Sequence, residues 1–196
     1  MTDVVIRLDI GCGSRKKEGF LGVDQFPMDG VDVVLNVVGK GPDGQFLPWP
    51  WADNSVDEIY SSHFVEHLDS NKHNPERVHF MNEAFRVMKE GAKATIITPH
   101  WASNRAYGDF THADKPVSEM FYYYLSQEWR NTNAPHTDRK WNPAGYSCNF
   151  AATWGYSFSP ELGARHPDHV QFALQNYKEA ALDTHATLVK PITKVD

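Results

Sequence analysis

The stretch Val4-Val5-Ile6-Arg7-Leu8-Asp9-Ile10-Gly11-Cys12-Gly13, residues 4–13, decides the fold. Residues 4–10 are mostly apolar and β-favouring, the pattern of a buried strand. The glycines that follow let the backbone turn tightly and approach a ligand closely. Open α/β sheets bind ligands at the carboxyl ends of their parallel strands, where this turn falls. Outward from it, 20–26 and 31–38 read as two more strands. A Gly- and Pro-rich loop covers 39–54, and 56–63 and 92–99 read as a fourth and fifth strand. A helix separates the last two, with Asn74 as N-cap and Pro75 at its first position. Val78, Met81, Phe85 and Met88 make its apolar face, Arg77, Asn82, Glu83 and Arg86 lie off it, and Gly91 stops it. This alternation implies an α/β sheet with parallel strands.

The remaining sequence properties set bounds. A chain of 196 residues suits one domain, 1–196. A net charge of −6 argues against a broad nucleic-acid footprint. No apolar run reaches the roughly 20 residues of a membrane span. The start, MTDVVIRLDIG, lacks a signal-peptide pattern, and two cysteines cannot make a disulfide framework. The expectation is a cytoplasmic protein of unassigned oligomeric state. Aromatics reach 13%, with 10 His, and both cluster. Residues 100–150 break the alternating rhythm and read as an insertion with a helix around 117–129. A strand near 150–158, a helix near 167–180 and a strand near 184–190 follow.

Further motifs stand in a fixed order: LDIGCG (8–13), GVD (22–24), LPWPWADNSVDEIYSSHFVEHL (47–68) and EAFRVMKEGAKATIITP (83–99). In this order they resemble class I S-adenosylmethionine (SAM)-dependent methyltransferases, over residues 4–99. The resemblance implies a Rossmann-like, doubly wound, mostly parallel seven-stranded sheet with an antiparallel last strand, and SAM as cofactor. It places Asp9, Gly11, Cys12 and Gly13 around the methionine and ribose end, and Asp24 on the ribose hydroxyls. It sets Phe46 and Leu47 beside the adenine, and Ser61, Ser62 and His63 toward the methyl group. Asn36 stands where many relatives carry an acid, and its amide oxygen can accept from the adenine amino group. Only ten residues part Gly13 from Asp24, too few for the usual crossover helix, so Ser14–Gly19 is expected to be a turn or tight loop. This resembles abbreviated members of the family. A nicotinamide fingerprint is disfavoured because position 16 is Lys rather than the third glycine.

The run GDFTH (108–112) follows the fifth strand and resembles a pattern of the abbreviated enzymes. His100 or His112 is the candidate general base, with Asp109 as its orienter and His63 at the fourth strand end. The competing reading has Asp109 and His112 only capping a turn. The aromatics of 121–154 divide between core packing and an acceptor cage. His63-Phe64-Val65-Glu66-His67 matches the zinc-protease pattern H-x-x-E-H, and helical spacing would put both histidines on one face. The family motif explains the segment instead, and no metal is expected. The acceptor expected is a small or medium molecule. A nucleic-acid methyltransferase is disfavoured, since Ser61-Ser62-His63-Phe64 stands where the amino-methylating DNA enzymes carry a Pro-Pro pair. A non-catalytic SAM- or nucleotide-binding module is the third reading.

Overall fold

The computed structural model describes residues 4–193. Seven strands form one sheet: β1 (Arg7–Ile10), β2 (Leu21–Asp24), β3 (Val33–Val34), β4 (Val56–Ser62), β5 (Met88–Pro99), β6 (Ala151–Tyr156) and β7 (Asp183–Val189). Their order is β3-β2-β1-β4-β5-β7-β6. Strands β1 to β5 pair in parallel, and β7 runs antiparallel to both β5 and β6. This is the Rossmann-like α/β sheet that the motif order implied, with its antiparallel last strand.

The α-helices are α1 (Glu76–Val87), α2 (Glu119–Tyr123), α3 (Gln127–Asn133), α4 (Pro160–Gly163) and α5 (Pro167–Asn176). No helix occupies the connections β1–β2, β2–β3 or β3–β4. Ser14–Gly19 is a tight loop held by Arg15 N–H on Cys12 O (3.1 Å) and Phe20 N–H on Lys17 O (3.2 Å). It lays Phe20 and the Lys17 ammonium against Tyr60, covering part of the sheet where a helix would normally lie.

One sheet face carries Leu8, Ile10, Val23, Ile59, Ala94, Ile96, Ala186 and Leu188, all buried. Helix α1 packs there through Phe80, Met81, Ala84 and Val87. Phe80 also meets Trp49 (5.3 Å) and Phe64 (5.8 Å), and each such large apolar side chain contributes about 1.5–3 kcal/mol by leaving water.

Details of α1 differ from expectation. Pro75 is the N-cap and Asn74 makes no cap bond; its side chain joins Glu76 and Asp69 instead. The helix ends at Val87, and Gly91 (φ +78°) lies inside β5, where pairing with β4 shifts register. Three polar residues placed off the apolar face are buried because each satisfies loop backbone. Arg77 donates to Val65 O and Glu66 O, Asn82 holds Gly145, Ser147 and Cys148, and Glu83 accepts from Trp49 N–H.

The insertion is pinned by Arg130, which is fully buried. Its guanidinium donates twice to Asp138 Oδ2 (3.0 and 2.8 Å) and to Tyr124 O and Cys148 O. The single helix expected around 117–129 is two short ones, because Ser126 starts α3 by accepting from Trp129 N–H.

Candidate active site

Two cavities open at the carboxyl ends of the strands and share His63 and His67. The first, about 570 Å³, is lined by Gly11, Gly13, Asp24, Phe26, Met28, Leu35, Asn36, Val37, Val38 and Phe64, among others. The second, about 580 Å³, is lined by Glu66, Pro99, Arg105, Gly108, Asp109, Phe110 and His112 besides the shared pair. A hollow of about 420 Å³ between Ser126, Asn149 and Pro191 lies at the opposite end of the sheet, beside the start of β6.

The first cavity exists because Gly11 adopts φ +72°, and a Cβ there would stand 2.3 Å from the Phe64 ring. Gly13 (φ +51°) turns its N–H onto Asp24 Oδ2 (3.0 Å), and Phe26 N–H reaches Asp24 Oδ1 (3.1 Å). Asp24 therefore both ties the glycine turn to β2 and stands at the cavity wall. Asn36 Oδ1 accepts from Val38 N–H (3.0 Å), leaving its amide N–H groups available.

Several residues singled out from sequence take other positions. Asp9 is buried, and its Oδ2 accepts from Lys17 N–H (2.7 Å), so the carboxylate anchors the short loop. Burial and the nearby Asp9 and Asp24 push the Cys12 thiol up to about 11, and Cys12 fills the turn as a neutral group. Ser61 is buried and donates to Ile10 O (2.8 Å), stitching β4 to β1. Ser62 ends β4 beside His63 but is outside both linings. Phe46 and Leu47 do not flank the first cavity. The Lys40–Phe46 bridge closes the 40–46 loop on itself, Phe46 stacks on His79 (4.6 Å), and Leu47 is exposed. Leu35, Val37 and Val38 supply the apolar wall in their place.

His63 follows β4 in a left-handed conformation (φ +54°), and its ring lines both cavities. Its Nδ1 lies 3.3 Å from Glu66 Oε1 and its Nε2 3.8 Å from Asp183 Oδ1. The Glu66 carboxylate raises the basicity of His63 and Asp183 adds to it, against an opposing effect of burial. Val65–His67 is a single 3-10 turn, so His63 and His67 do not share a helical face.

His112 lies in the second cavity, and His100 does not. The buried His100 ring donates from Nε2 to Glu119 Oε1 (3.1 Å) and accepts Ala102 N–H at Nδ1 (3.2 Å). Tyr156 donates to the same Glu119 oxygen (3.0 Å), so His100 is a packing residue. The Asp109 carboxylate does not bond the His112 ring; the two residues meet through the backbone, where His112 N–H donates to Asp109 O (3.2 Å) and closes a turn. That carboxylate accepts from Thr111 Oγ1 (2.7 Å) and Thr111 N–H (2.8 Å), and Thr111 meets His67 Nδ1 (3.0 Å). Those bonds hold Asp109 below the usual carboxylate range. The aromatic run packs rather than caging a ligand: Tyr122 stacks on Trp154 (5.7 Å), and Tyr124 meets Trp129 and Tyr146. Tyr107 and Phe110 are the exposed aromatics of the 104–112 loop. Glu66 and His67, left to the family motif without a role from sequence, line the second cavity; H-x-x-E-H was the signal for them.

A methyltransferase-domain family model matches residues 8–96, the segment that supplies most of the first cavity. Residues 8–96 thus match a methyltransferase domain, and the sheet has the fold of the class I SAM-dependent methyltransferases. Its fold resembles a SAM-dependent methyltransferase from Archaeoglobus fulgidus at 21% identity and a TM-score of 0.56, over 96% of this chain and 87% of that one. It also resembles the [4+2]-cyclase SpnF at 14% identity and a TM-score of 0.50, over 98% and 77%. No match was found among curated proteins. The cyclase is a reminder that this fold hosts more than one chemistry. SAM is the cofactor of the matched domain, and the first cavity fits it: a glycine turn in which Gly11 has no room for a Cβ, a carboxylate at the β2 end and an apolar wall. Among the described residues no helix is long and apolar enough to cross a membrane.

Proposed function

We propose that this methyltransferase transfers the methyl group of SAM to a small or medium acceptor held in the histidine-lined cavity. One observation carries the reading: the two cavities adjoin at His63 and His67. Methyl transfer is an in-line displacement, and its first requirement is that donor and acceptor meet in register. When bound, SAM supplies an electrophilic methyl group on a sulfonium.

The residues of the chain divide the remaining work. Gly11 and Gly13 let the backbone lie close to the donor. Asp24 accepts from the ribose hydroxyls, and Asn36, whose Oδ1 is taken by Val38 N–H, donates its amide N–H to an adenine ring nitrogen between Leu35 and Val38. His63, Asp109 and His112 form the polar wall that orients the acceptor, and Arg105 sets a positive charge at its rim. The whole chain acts as one domain, with residues 100–150 covering the acceptor side. Small acceptors suit a cavity of about 580 Å³ and a net charge of −6, which disfavours a polyanionic partner.

The test is direct. Purified protein is equilibrated with SAM, then challenged with acceptor libraries while the demethylated product is followed. Saturable SAM binding that Asp24→Ala weakens by about 100-fold, with product formed on one acceptor class, is the expected result. Undiminished SAM affinity in Asp24→Ala refutes the ribose assignment. Tight binding without turnover on any class favours a non-catalytic binding module.

A further inference from the structure

Glu66 is 4% exposed, and neither of its carboxylate oxygens has a hydrogen-bond partner among the described residues. His63 Nδ1 stands 3.3 Å from Oε1, but without hydrogen-bonding alignment. A buried carboxylate with open lone pairs is costly unless something positive occupies them. Two imidazoles stand next to it: His67 and His112 meet edge-to-face at 4.7 Å, and one donor atom from each of Glu66, His67 and His112 falls within 4.8 Å of the others.

Both rings are oriented from behind. His67 Nδ1 is engaged by Thr111 O (3.3 Å) and Thr111 Oγ1, whose own hydroxyl is spent on Asp109. His112 Nδ1 is engaged by Ala106 O (3.2 Å). A carbonyl can only accept, so each ring carries its proton on Nδ1 and presents a bare Nε2 lone pair. Donating the remote N–H to a carbonyl or carboxylate-backed group is the usual support of a metal-ligating histidine.

We propose that Glu66, His67 and His112 bind one divalent first-row transition cation at the junction of the two cavities. Two neutral imidazoles and a carboxylate suit zinc, cobalt, iron or manganese; calcium and magnesium prefer oxygen ligands throughout. Three protein ligands leave coordination positions open, and the cavity with Asp109 and Arg105 lies on that side. Resting on the methyl-transfer reading, the cation selects an acceptor that offers a hydroxyl oxygen as ligand. Coordination makes that hydroxyl more acidic. Its proton leaves to solvent, the oxygen takes the methyl group, and the electron pair of the broken carbon–sulfur bond remains on sulfur as the thioether. The H-x-x-E-H motif is thereby used in part: Glu66 and His67 bind, a distant histidine completes the set, and His63 stands outside it.

The test uses full-length protein dialysed against chelator and titrated with Co²⁺, read by visible absorption, and with Zn²⁺, read by calorimetry. SAM affinity is measured on the same samples. One cation per chain is expected, with Glu66→Gln and His112→Asn each weakening it by roughly 10–100-fold or more while SAM affinity stays within about 3-fold. Thr111→Val, an exposed site, weakens cation binding about 10-fold and serves if either ligand variant fails to fold. Absence of saturable Co²⁺ binding, or equal binding in wild type and variants, overturns the proposal even if SAM binds. Cation binding without SAM binding upholds the metal site and refutes the donor reading instead.

Discussion

The two cavities at the strand ends are of nearly equal volume and are built differently. The cleft proposed for the donor takes its glycines, carboxylate and amide from the ends of β1, β2 and β3, joined by bonds such as Gly13 N–H to the Asp24 carboxylate. The histidine cavity takes residues from β4, the 3-10 turn after it, β5 and the insertion loop, joined through side chains such as Thr111. The donor side therefore depends on backbone conformation, and the acceptor side on how the insertion docks. Substitutions that act on one side and spare the other measure that separation.

The largest effect is expected from Arg130→Ala. Removing one partner of a buried ion pair costs about 3–5 kcal/mol, and chemical denaturation should show a loss of that size. Below the unfolding range, SAM affinity should change little, because Arg130 touches only the insertion; a large fall in affinity would merge the two regions into one. Gly11→Ala acts on the other side. A methyl group in a left-handed backbone against Phe64 should cost about 2–4 kcal/mol and abolish SAM binding, measured by denaturation and calorimetry. Asp24→Ala should weaken SAM by about 100-fold with a smaller loss of stability, since its bonds carry a charge.

Glu83 supplies a test by pH. Burial pushes its carboxyl up, but Arg86 and the Trp49 N–H outweigh this and hold it below its ordinary value of 4.5. A depressed pKa means stability that is full above 4.5 and is lost as pH falls through the lower folded value. Wild type should lose more stability than Glu83→Gln between pH 5 and 3, where the variant has no such group to protonate; equal losses would remove the clamp. At pH 7 the variant should be less stable by about 1–2 kcal/mol. The smallest effect belongs to Phe110→Ala. At 98% exposure, it should leave stability within about 0.5 kcal/mol, so any fall in turnover reports on the acceptor alone.

The motif order disclosed the sheet, its antiparallel last strand and the missing first crossover helix. The parallel strands and the missing helix are local matters, read from apolar runs of strand length, glycines at their ends and ten residues where a helix needs more, whereas the antiparallel last strand came from the family resemblance. Gly11, Gly13, Asp24 and Asn36 reach the donor cleft for the same reason, since each ends or follows a strand whose direction is set. Phe46 and Leu47 escaped that logic because a short bridge folds their loop away from the cleft. Arg77, Asn82 and Glu83 looked like a solvated helix face, and only the loops packed over them show what their polar groups satisfy.

The amino-acid order alone thus establishes an α/β sheet with a glycine turn and a carboxylate at its strand ends, because these are properties of neighbours in the chain, and the family resemblance of the motifs adds SAM. It does not separate His100 from His112, nor place His112 beside Glu66 and His67. Those choices depend on bonds between distant segments: Glu119 and Tyr156 hold the ring of His100, Thr111 orients His67, and the Ala106 carbonyl orients His112. Only a packed tertiary structure decides which buried polar atoms find partners, and so which, like the Glu66 oxygens, are left open for a ligand.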